Sequence, residues 1–111
     1  MFDELFNKKL SKAFYSYPFK VIYVLKNDLK ETKFGLSVPK RNFKLAVNRN
    51  LIKRRIKEAY RVNQNILKTG TTNKFVLFFI YTSKSTLQYH KIDAAFIKVF
   101  NKIINASNAV D

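Results

Sequence analysis

A dense group of cations occupies one helix-length stretch of this sequence, residues 46–61 (AVNRNLIKRRIKEAYR). Six of these sixteen residues are Arg or Lys, and Glu58 is the only acid. Like charges at helical spacing repel by roughly 0.2–0.5 kcal/mol per pair, so an external polyanion would stabilise such a stretch. Guanidinium groups bind two phosphate oxygens at once, which makes a phosphodiester backbone the predicted ligand.

Helical geometry places most of these polar side chains on one side of the stretch. At about 100° per residue, six of them fall within an arc of about 140°: Arg49, Asn50, Lys53, Arg54, Lys57 and Arg61. Ile52, Ile56 and Ala59 occupy an adjoining arc, while Arg55 and Glu58 are predicted to lie toward the back. The helix therefore has an apolar stripe for the protein core and a basic stripe for a partner. A merely solvated charged face would carry more acids for pairing along the helix.

Composition predicts a single domain over residues 1–111 with a strongly cationic surface. Hydrophobic residues make up 47% of the chain, and the formal net charge is +15. Such a charge favours nucleic acid or an anionic membrane as partner. The longest apolar run, residues 75–81 (FVLFFIY), is far shorter than the ~20 residues that span a bilayer. The first residues, MFDELF, lack the basic region of a secretory signal, and the chain has no Cys, so we expect a cytoplasmic protein.

Hydrophobic periodicity predicts an α+β fold in which helices pack on a small sheet. The predicted helices cover residues 2–12, 47–63 and 86–104, and the predicted strands cover residues 19–25, 33–38 and 75–81. The intervening segments, 13–18, 26–33, 40–45 and 63–73, are predicted to be connections, with a turn at Gly70. In the last helix an apolar stripe is expected from Leu87, Ile92, Ala95, Phe96, Val99, Phe100 and Ile103.

RNA is a better predicted partner than DNA. A helix-turn-helix reader needs a second helix close to its recognition helix, whereas strands flank the basic helix here. A-form RNA is recognised largely through its shape and backbone, which a basic stripe can do without reading bases. Three alternatives stay open: a structural RNA-binding protein of the ribosome, a DNA-binding regulator and a membrane-surface protein.

Residues 38–61 (VPKRNFKLAVNRNLIKRRIKEAYR) resemble the signature of the bacterial ribonuclease P protein subunit. That family carries V-x-K-K/R, then A-V-x-R-N-x-x-K-R, then R/K-E-x-[FY]-R. The matching residues are Val38, Lys40, Arg41, Ala46, Val47, Arg49, Asn50, Lys53, Arg54, Lys57, Glu58, Tyr60 and Arg61. The chain differs from many members at residues 42–45 (NFKL), which contain no glycine.

The resemblance implies an accessory protein of a ribonucleoprotein endoribonuclease that removes the 5′ leader of precursor tRNA. Catalysis would belong to a large RNA that holds Mg²⁺, and neither a membrane nor another protein would be required. The catalytic RNA would bind Arg49, Asn50, Lys53, Arg54, Lys57 and Arg61. The single-stranded leader would bind Phe2, Phe6, Val21, Tyr23, Ser37 and Lys40. The implied fold has a four-stranded sheet and three helices, with the basic helix in a left-handed βαβ crossover.

The residues support part of this leader-binding cleft on their own. Val21 and Tyr23 share one face of a strand, and Ser37 is predicted to face out from the strand that follows. Aromatic rings stack on unpaired bases without demanding a sequence, which suits a variable leader. Core packing is the equally simple interpretation of Phe2 and Phe6.

No group of residues predicts catalysis by the chain itself. The single histidine, His90, is predicted to be an ordinary surface side chain on the last helix. The seven acids are scattered, and the only two glycines, Gly35 and Gly70, form no phosphate-binding loop. We therefore expect no catalytic residue and no metal site in this chain.

Overall fold

A four-stranded sheet with two long helices on one face forms the architecture of the computed structural model, which describes residues 11–108. In chain order its elements are β1 (Lys12–Ser16), β2 (Phe19–Leu25), β3 (Lys33–Ser37), α1 (Ala46–Gly70), β4 (Phe75–Tyr81) and α2 (Tyr89–Asn108). A short 3₁₀ turn, Lys40–Asn42, lies between β3 and α1. The α+β prediction is confirmed.

The strands are arranged in the order β1-β2-β4-β3. The β1–β2 and β2–β4 pairs are antiparallel, and the β3–β4 pair is parallel. Because α1 joins the two parallel strands, the predicted βαβ crossover around the basic helix is present. Its left hand stays a prediction.

Alternation along the strands gives the sheet two different faces. The face toward the helices is almost wholly aromatic and aliphatic, and its centre is Phe79, whose ring stacks on Phe96 of α2 at a centroid distance of 4.6 Å. Phe19 meets both of these rings edge-on. Such aromatic pairs stabilise by about 0.5–1.5 kcal/mol each beyond the area they bury. The core therefore fixes α2 to the middle of the sheet.

Strands β2 and β4 have the predicted bounds, but β1 was missed. Residues 13–18 were predicted to be a loop and residue 12 part of a helix, whereas Lys12–Ser16 pairs with β2 along its whole length. A short aromatic segment ending near a proline gave no clear strand pattern, and the backbone partners that β2 offers decide its conformation. The rest of the predicted first helix, residues 2–10, lies outside the described residues.

Helix α1 continues through a segment that was predicted to be a hydrophilic link. The prediction ended the helix at residue 63, yet α1 runs to Gly70. Asn63 is buried, and its Nδ2 donates to the Ala59 carbonyl at 2.8 Å and to Oδ1 of Asp93 in α2 at 2.6 Å. Leu67, also buried, extends the stripe by one more turn. The polar Asn63 therefore acts as a core residue, because its hydrogen-bond partners are inside the fold.

Helix α2 begins three residues later and ends four residues later than predicted, at Tyr89 and Asn108. Six members of the predicted stripe are buried, from Ile92 to Ile103. The seventh, Leu87, precedes the helix and packs at the edge of the core. At the far end of the helix pair, a Cβ added to Gly70 would overlap the side chain of Ile104, so α1 and α2 approach closely there.

Candidate nucleic-acid interface

The buried side of α1 determines which side is left for a partner. Ile52, Ile56, Ala59, Asn63 and Leu67 are the buried residues of this helix. Their spacing of three and four residues makes one continuous stripe against the rest of the protein. The cations that alternate with this stripe are therefore directed away from the core.

Five of the six predicted RNA-binding side chains meet at one shallow concavity of about 470 Å³, whose lining also includes Glu58. We call these five residues the basic face: Asn50, Lys53, Arg54, Lys57 and Arg61. Residues three and four apart on a helix are neighbours, which is why these side chains share one surface. The predicted stripe is thus brought together, except for Arg49.

Arg49 turns back toward the loop that precedes its own helix. Its Nη1 donates to the carbonyl oxygen of Phe43 at 2.7 Å and lies 3.5 Å from the carbonyl oxygen of Lys44. Phe43 is buried, so this hydrogen bond connects the start of α1 to an anchored loop residue. Arg49 therefore stabilises the loop, and part of its hydrogen-bonding capacity is already used.

Glu58 lies at the edge of the basic face instead of toward the back. Its carboxylate accepts hydrogen bonds from Nε of Arg61 at 3.0 and 3.3 Å and from Nη2 of the same residue. The hydrogen bond from Arg61 is the main reason why the pKa of Glu58 is lowered. Arg61 is thus partly neutralised, whereas Lys53, Arg54 and Lys57 are not.

The remaining carboxylates of residues 11–108 do not compensate the basic face. The only other ion pairs between described residues are Lys26–Asp28, in the β2–β3 connection, and Lys33–Glu31, where that connection meets β3. Lys53, Arg54 and Lys57 consequently have no carboxylate within 4.0 Å among the described residues. A polyanion would supply the missing countercharge without first displacing an internal acid.

Arg55 does lie away from the basic face, as predicted. Its Nη1 donates to the carbonyl oxygen of Leu87 at 2.6 Å and so holds the β4–α2 connection against α1. This arginine has a structural contact within the chain.

The predicted leader-binding residues do not share one surface. Val21 has no exposed surface and Tyr23 is 7% exposed, because both lie on the sheet face that the helices cover. Ser37 lies on the opposite face, and β4 separates its strand from β2. Lys40 is exposed in the 3₁₀ turn, and Phe2 and Phe6 lie outside the described residues. The prediction that Val21 and Tyr23 lie on one surface with Ser37 is therefore wrong.

The opposite face of the sheet has a different set of candidate ligand-binding side chains, which we call the outer face. Cross-strand partners place four residues in one row across all four strands: Tyr15, Lys20, Ile80 and Ser37. The next row is Ala13, Ile22, Phe78 and Gly35. Tyr15 is 69% exposed, and Nζ of Lys20 lies 5.8 Å from the centre of its ring. Sequence reasoning missed Tyr15 because β1 was not recognised as a strand.

The described residues, 11–108, contain no group of side chains that fits a metal ion. No three His, Cys, Asp or Glu side chains in this range come close enough to hold a metal ion. His90 is exposed in the first turn of α2. Neither helix of this range has a stretch that is long and apolar enough to cross a membrane.

Comparison with known proteins identifies one family. The family model for ribonuclease P matches residues 1–104. A ribonuclease P protein component of Mycoplasma mycoides is 35% identical over 102 residues, which are 92% of this chain and 88% of that relative. Another, from Porphyromonas gingivalis, is 41% identical over 58 residues, which are 50% of this chain and 42% of that relative. The match to this second relative thus spans less than half of its length.

Solved structures share the fold. The RNase P protein of Staphylococcus aureus superposes with a TM-score of 0.72 at 21% identity, over 92% of this chain and 86% of that one. The RNase P protein of Thermotoga maritima gives a TM-score of 0.73 at 19% identity, over 91% and 89% of the two chains. At these identities the superpositions establish the architecture alone.

Proposed function

Because this chain belongs to the ribonuclease P protein family, we propose that it is the RNA-binding subunit of the ribonucleoprotein that removes the 5′ leader from precursor tRNA. The observation that carries the proposal is the basic face, with three cations that no described carboxylate neutralises. The family match favours this assignment over a structural protein of the ribosome, which composition alone left open.

The basic face is proposed to bind the catalytic RNA through its phosphates. Lys53, Arg54 and Lys57 supply positive charge, and Asn50 can donate to or accept from a ribose hydroxyl. Each neutralised phosphate releases counterions, so we expect affinity to fall steeply as the salt concentration rises. Arg61 contributes less, because Glu58 already occupies its guanidinium group.

The leader is proposed to bind the outer face of the sheet. Tyr15 offers an exposed ring on which a base can stack, and Lys20 beside it provides a charge for a phosphate. Gly35, in the next row, has no side chain to obstruct the approach of a strand. Ser37 ends the same row as Tyr15 and leads toward the exposed Lys40. This arrangement keeps Ser37 and Lys40 in the predicted leader-binding set and replaces Val21 and Tyr23.

Cleavage itself is proposed to belong to the RNA subunit. The magnesium that supports such a reaction would be held mainly by RNA, because the acids of residues 11–108 form no cluster that fits a metal ion. The protein would neutralise phosphates and position the leader. No other protein is needed for either task.

Reconstitution tests the proposal. The protein and the catalytic RNA of the same organism are mixed, and cleavage of precursor tRNA is measured over a range of Mg²⁺ concentrations, with the RNA alone as reference. We expect the protein to lower the Mg²⁺ concentration that half-maximal cleavage requires. Unchanged rates and an unchanged Mg²⁺ requirement would contradict the assignment.

Two double variants test whether the basic face is responsible for the lower Mg²⁺ requirement. Lys53→Gln with Lys57→Gln removes two charges from the basic face, and Lys91→Gln with Lys98→Gln removes two exposed charges from α2. We expect only the first pair to raise the Mg²⁺ requirement again. Equal effects of both pairs would mean that total charge, not the basic face, is responsible.

A further inference from the structure

A second cavity, separate from the basic face, lies farther along α1. Its volume is about 310 Å³, and it shares no lining residue with the concavity of the basic face. The lining residues come from three segments: Lys30, Glu31 and Thr32; Tyr60, Gln64, Leu67 and Lys68; and Asn73 and Lys74. We call it the distal cavity. No residue predicted for RNA binding contributes to it.

Helix geometry aligns the distal cavity with the basic face. Tyr60, Gln64 and Lys68 are spaced four residues apart, as are Lys53 and Lys57 seven residues earlier. A shift of seven residues is close to two full turns, so both rows lie on the same side of α1, about 10 Å apart along its axis. A polyanion bound along this side of the helix would meet both surfaces.

The charge of the cavity favours an anion. Three lysines, Lys30, Lys68 and Lys74, and one carboxylate, Glu31, line the cavity. That carboxylate lies 3.7 Å from Nζ of Lys33, which is outside the cavity lining. None of the three lysines has a carboxylate within 4.0 Å among residues 11–108. Their charges are therefore not compensated within the described part of the chain.

Some hydrogen-bonding groups in the cavity keep donors or acceptors that no partner within residues 11–108 uses. The Thr32 hydroxyl oxygen accepts from the backbone N–H of Phe75 at 3.2 Å, which leaves its own proton to be donated. The half-buried side-chain amide of Gln64 has no hydrogen bond within residues 11–108. Burial, and then the Glu31 carboxylate, raise the pKa of Tyr60, so its hydroxyl stays protonated at neutral pH. Donors and an amide beside lysines match the phosphate and 2′-hydroxyl groups of an RNA backbone.

The walls of the cavity are held in place. The ring of Tyr60 stacks on Phe34 of β3 at 4.1 Å between centroids and 7° between planes. On the other side, the backbone N–H of Lys74 donates to Oδ1 of Asn27 at 2.8 Å, and Nδ2 of Asn27 donates to Oδ1 of Asn73 at 3.1 Å. Binding here would order few additional groups, which lowers its entropic cost.

We propose that the distal cavity is a second binding site for the backbone of the catalytic RNA, contacted through Lys30, Lys68 and Lys74. The inference rests on the proposed function, because it takes the same RNA as ligand. Continuity along α1 with the basic face favours the catalytic RNA over the precursor tRNA, whose leader is assigned to the sheet.

Salt dependence of binding tests this site. The association constant of the protein with the catalytic RNA is measured over a series of KCl concentrations. Four proteins are compared: the unmodified chain, Lys30→Gln with Lys68→Gln, Lys53→Gln with Lys57→Gln, and the α2 control Lys91→Gln with Lys98→Gln. The slope of log K against log[KCl] is negative, and loss of one lysine–phosphate contact reduces its magnitude by about 1. We expect the magnitude of the slope to fall by about 2 for the distal-cavity pair and for the basic-face pair. We expect no change for the α2 control.

The outcomes separate the two proposals. If the slope is unchanged for the distal-cavity variant but less steep for the basic-face variant, this inference alone is overturned. Unchanged slopes for both would also contradict the proposed function. Weaker binding to isolated precursor tRNA, with unchanged binding to the catalytic RNA, would assign the cavity to another ligand and overturn the inference. The charge-preserving pair Lys30→Arg with Lys68→Arg should keep the original slope, and failure to do so would mean that the lysines act through local structure.

Discussion

Nη1 of Arg49 donates a 2.7 Å hydrogen bond to the carbonyl oxygen of Phe43, so a cation predicted to bind RNA also holds the loop that precedes its own helix. No other cation of that helix face donates to a backbone carbonyl among residues 11–108, and Arg61 donates to the Glu58 carboxylate instead. The cations of the predicted stripe therefore fall into three groups: Arg49 is held by the loop, Arg61 is paired with Glu58, and Lys53, Arg54 and Lys57 have no carboxylate partner among the described residues. Substitutions in these groups should have different effects.

The first prediction contrasts Arg54→Ala with Arg49→Ala. Arg54 lines the basic face and is exposed, so its loss should weaken binding to the catalytic RNA and change the free energy of unfolding by less than about 0.5 kcal/mol. Arg49→Ala should weaken binding and also lower the free energy of unfolding by about 1 kcal/mol, because the Phe43 carbonyl loses its donor. Filter binding and denaturant unfolding measure the two effects. Equal unfolding free energies for the two variants would mean that the Arg49 contact contributes nothing.

The second prediction tests the face of the sheet that contacts the leader. Tyr15→Ala should reduce the preference for leader-bearing over mature tRNA by about 1–3 kcal/mol, the usual contribution of one stacked base. Tyr23→Phe, on the helix-covered face, is the matched control and should leave that preference unchanged. The ratio of the two dissociation constants is measured with the reconstituted holoenzyme. A preference that responds to Tyr23→Phe and not to Tyr15→Ala would return the leader to the originally predicted face.

The third prediction concerns the buried amide that joins the two helices. Asn63→Ala removes the hydrogen bonds to the Ala59 carbonyl and to Asp93, which leaves that partly buried carboxylate with only the longer contact from the Tyr89 hydroxyl at 3.5 Å. The free energy of unfolding should fall by about 1–3 kcal/mol. Asn65→Ala, at an exposed position of the same helix, should change it by less than about 0.5 kcal/mol. Urea unfolding followed by circular dichroism compares them, and equal stability of the two variants would contradict the role given to Asn63.

The fourth prediction is a pH dependence. Burial raises the pKa of Tyr81 above 10.0, the value expected in the unfolded chain. Its hydroxyl donates to the Ser85 carbonyl at 2.6 Å and accepts from the Leu87 N–H at 3.2 Å. Above pH 10 the unfolded chain therefore loses this proton more readily than the folded protein, and stability falls as the pH rises.

Tyr81→Phe isolates this effect. At pH 7 the variant should be less stable by about 1 kcal/mol, because the Leu87 N–H and the Ser85 carbonyl lose their partner. As the pH rises through 10, that difference should become smaller, since only the unmodified protein has an ionisable group at position 81. Guanidinium unfolding at pH 7 and at pH 10.5 measures the difference in the free energy of unfolding between the two proteins. A difference that grows with pH would contradict the predicted direction.

The local sequence was sufficient to predict strands made of an uninterrupted run of apolar, β-branched or aromatic residues. Strand β4 is apolar on both faces, and β2 is rich in β-branched and aromatic residues, so both were predicted with the correct bounds. The end of α1 could not be found in this way, because Asn63 is polar and its partner Asp93 lies on another helix. Strand β1 was missed because its hydrogen-bond partners belong to β2.

The leader-binding prediction shows where pattern reasoning stops. Alternation establishes that Val21 and Tyr23 share a face, and the structure confirms it. It does not establish which face the helices cover, and it does not show that β4 lies between β2 and β3. The row from Tyr15 to Ser37 follows only from the register of all four strands.

The α+β fold, and the separation of cations and apolar residues on two sides of one long helix, could both be predicted from the amino-acid sequence alone. Both conclusions depend on backbone periodicity, which is a local property of the chain. The strand order, the face of the sheet on which α1 and α2 pack, the placement of Arg49 against Phe43, and the meeting of Lys30 and Lys68 in one cavity came from the tertiary structure. These features depend on contacts between residues far apart in sequence, or on a side chain that folds back onto its own loop. Neither kind of contact produces a periodic pattern in the sequence.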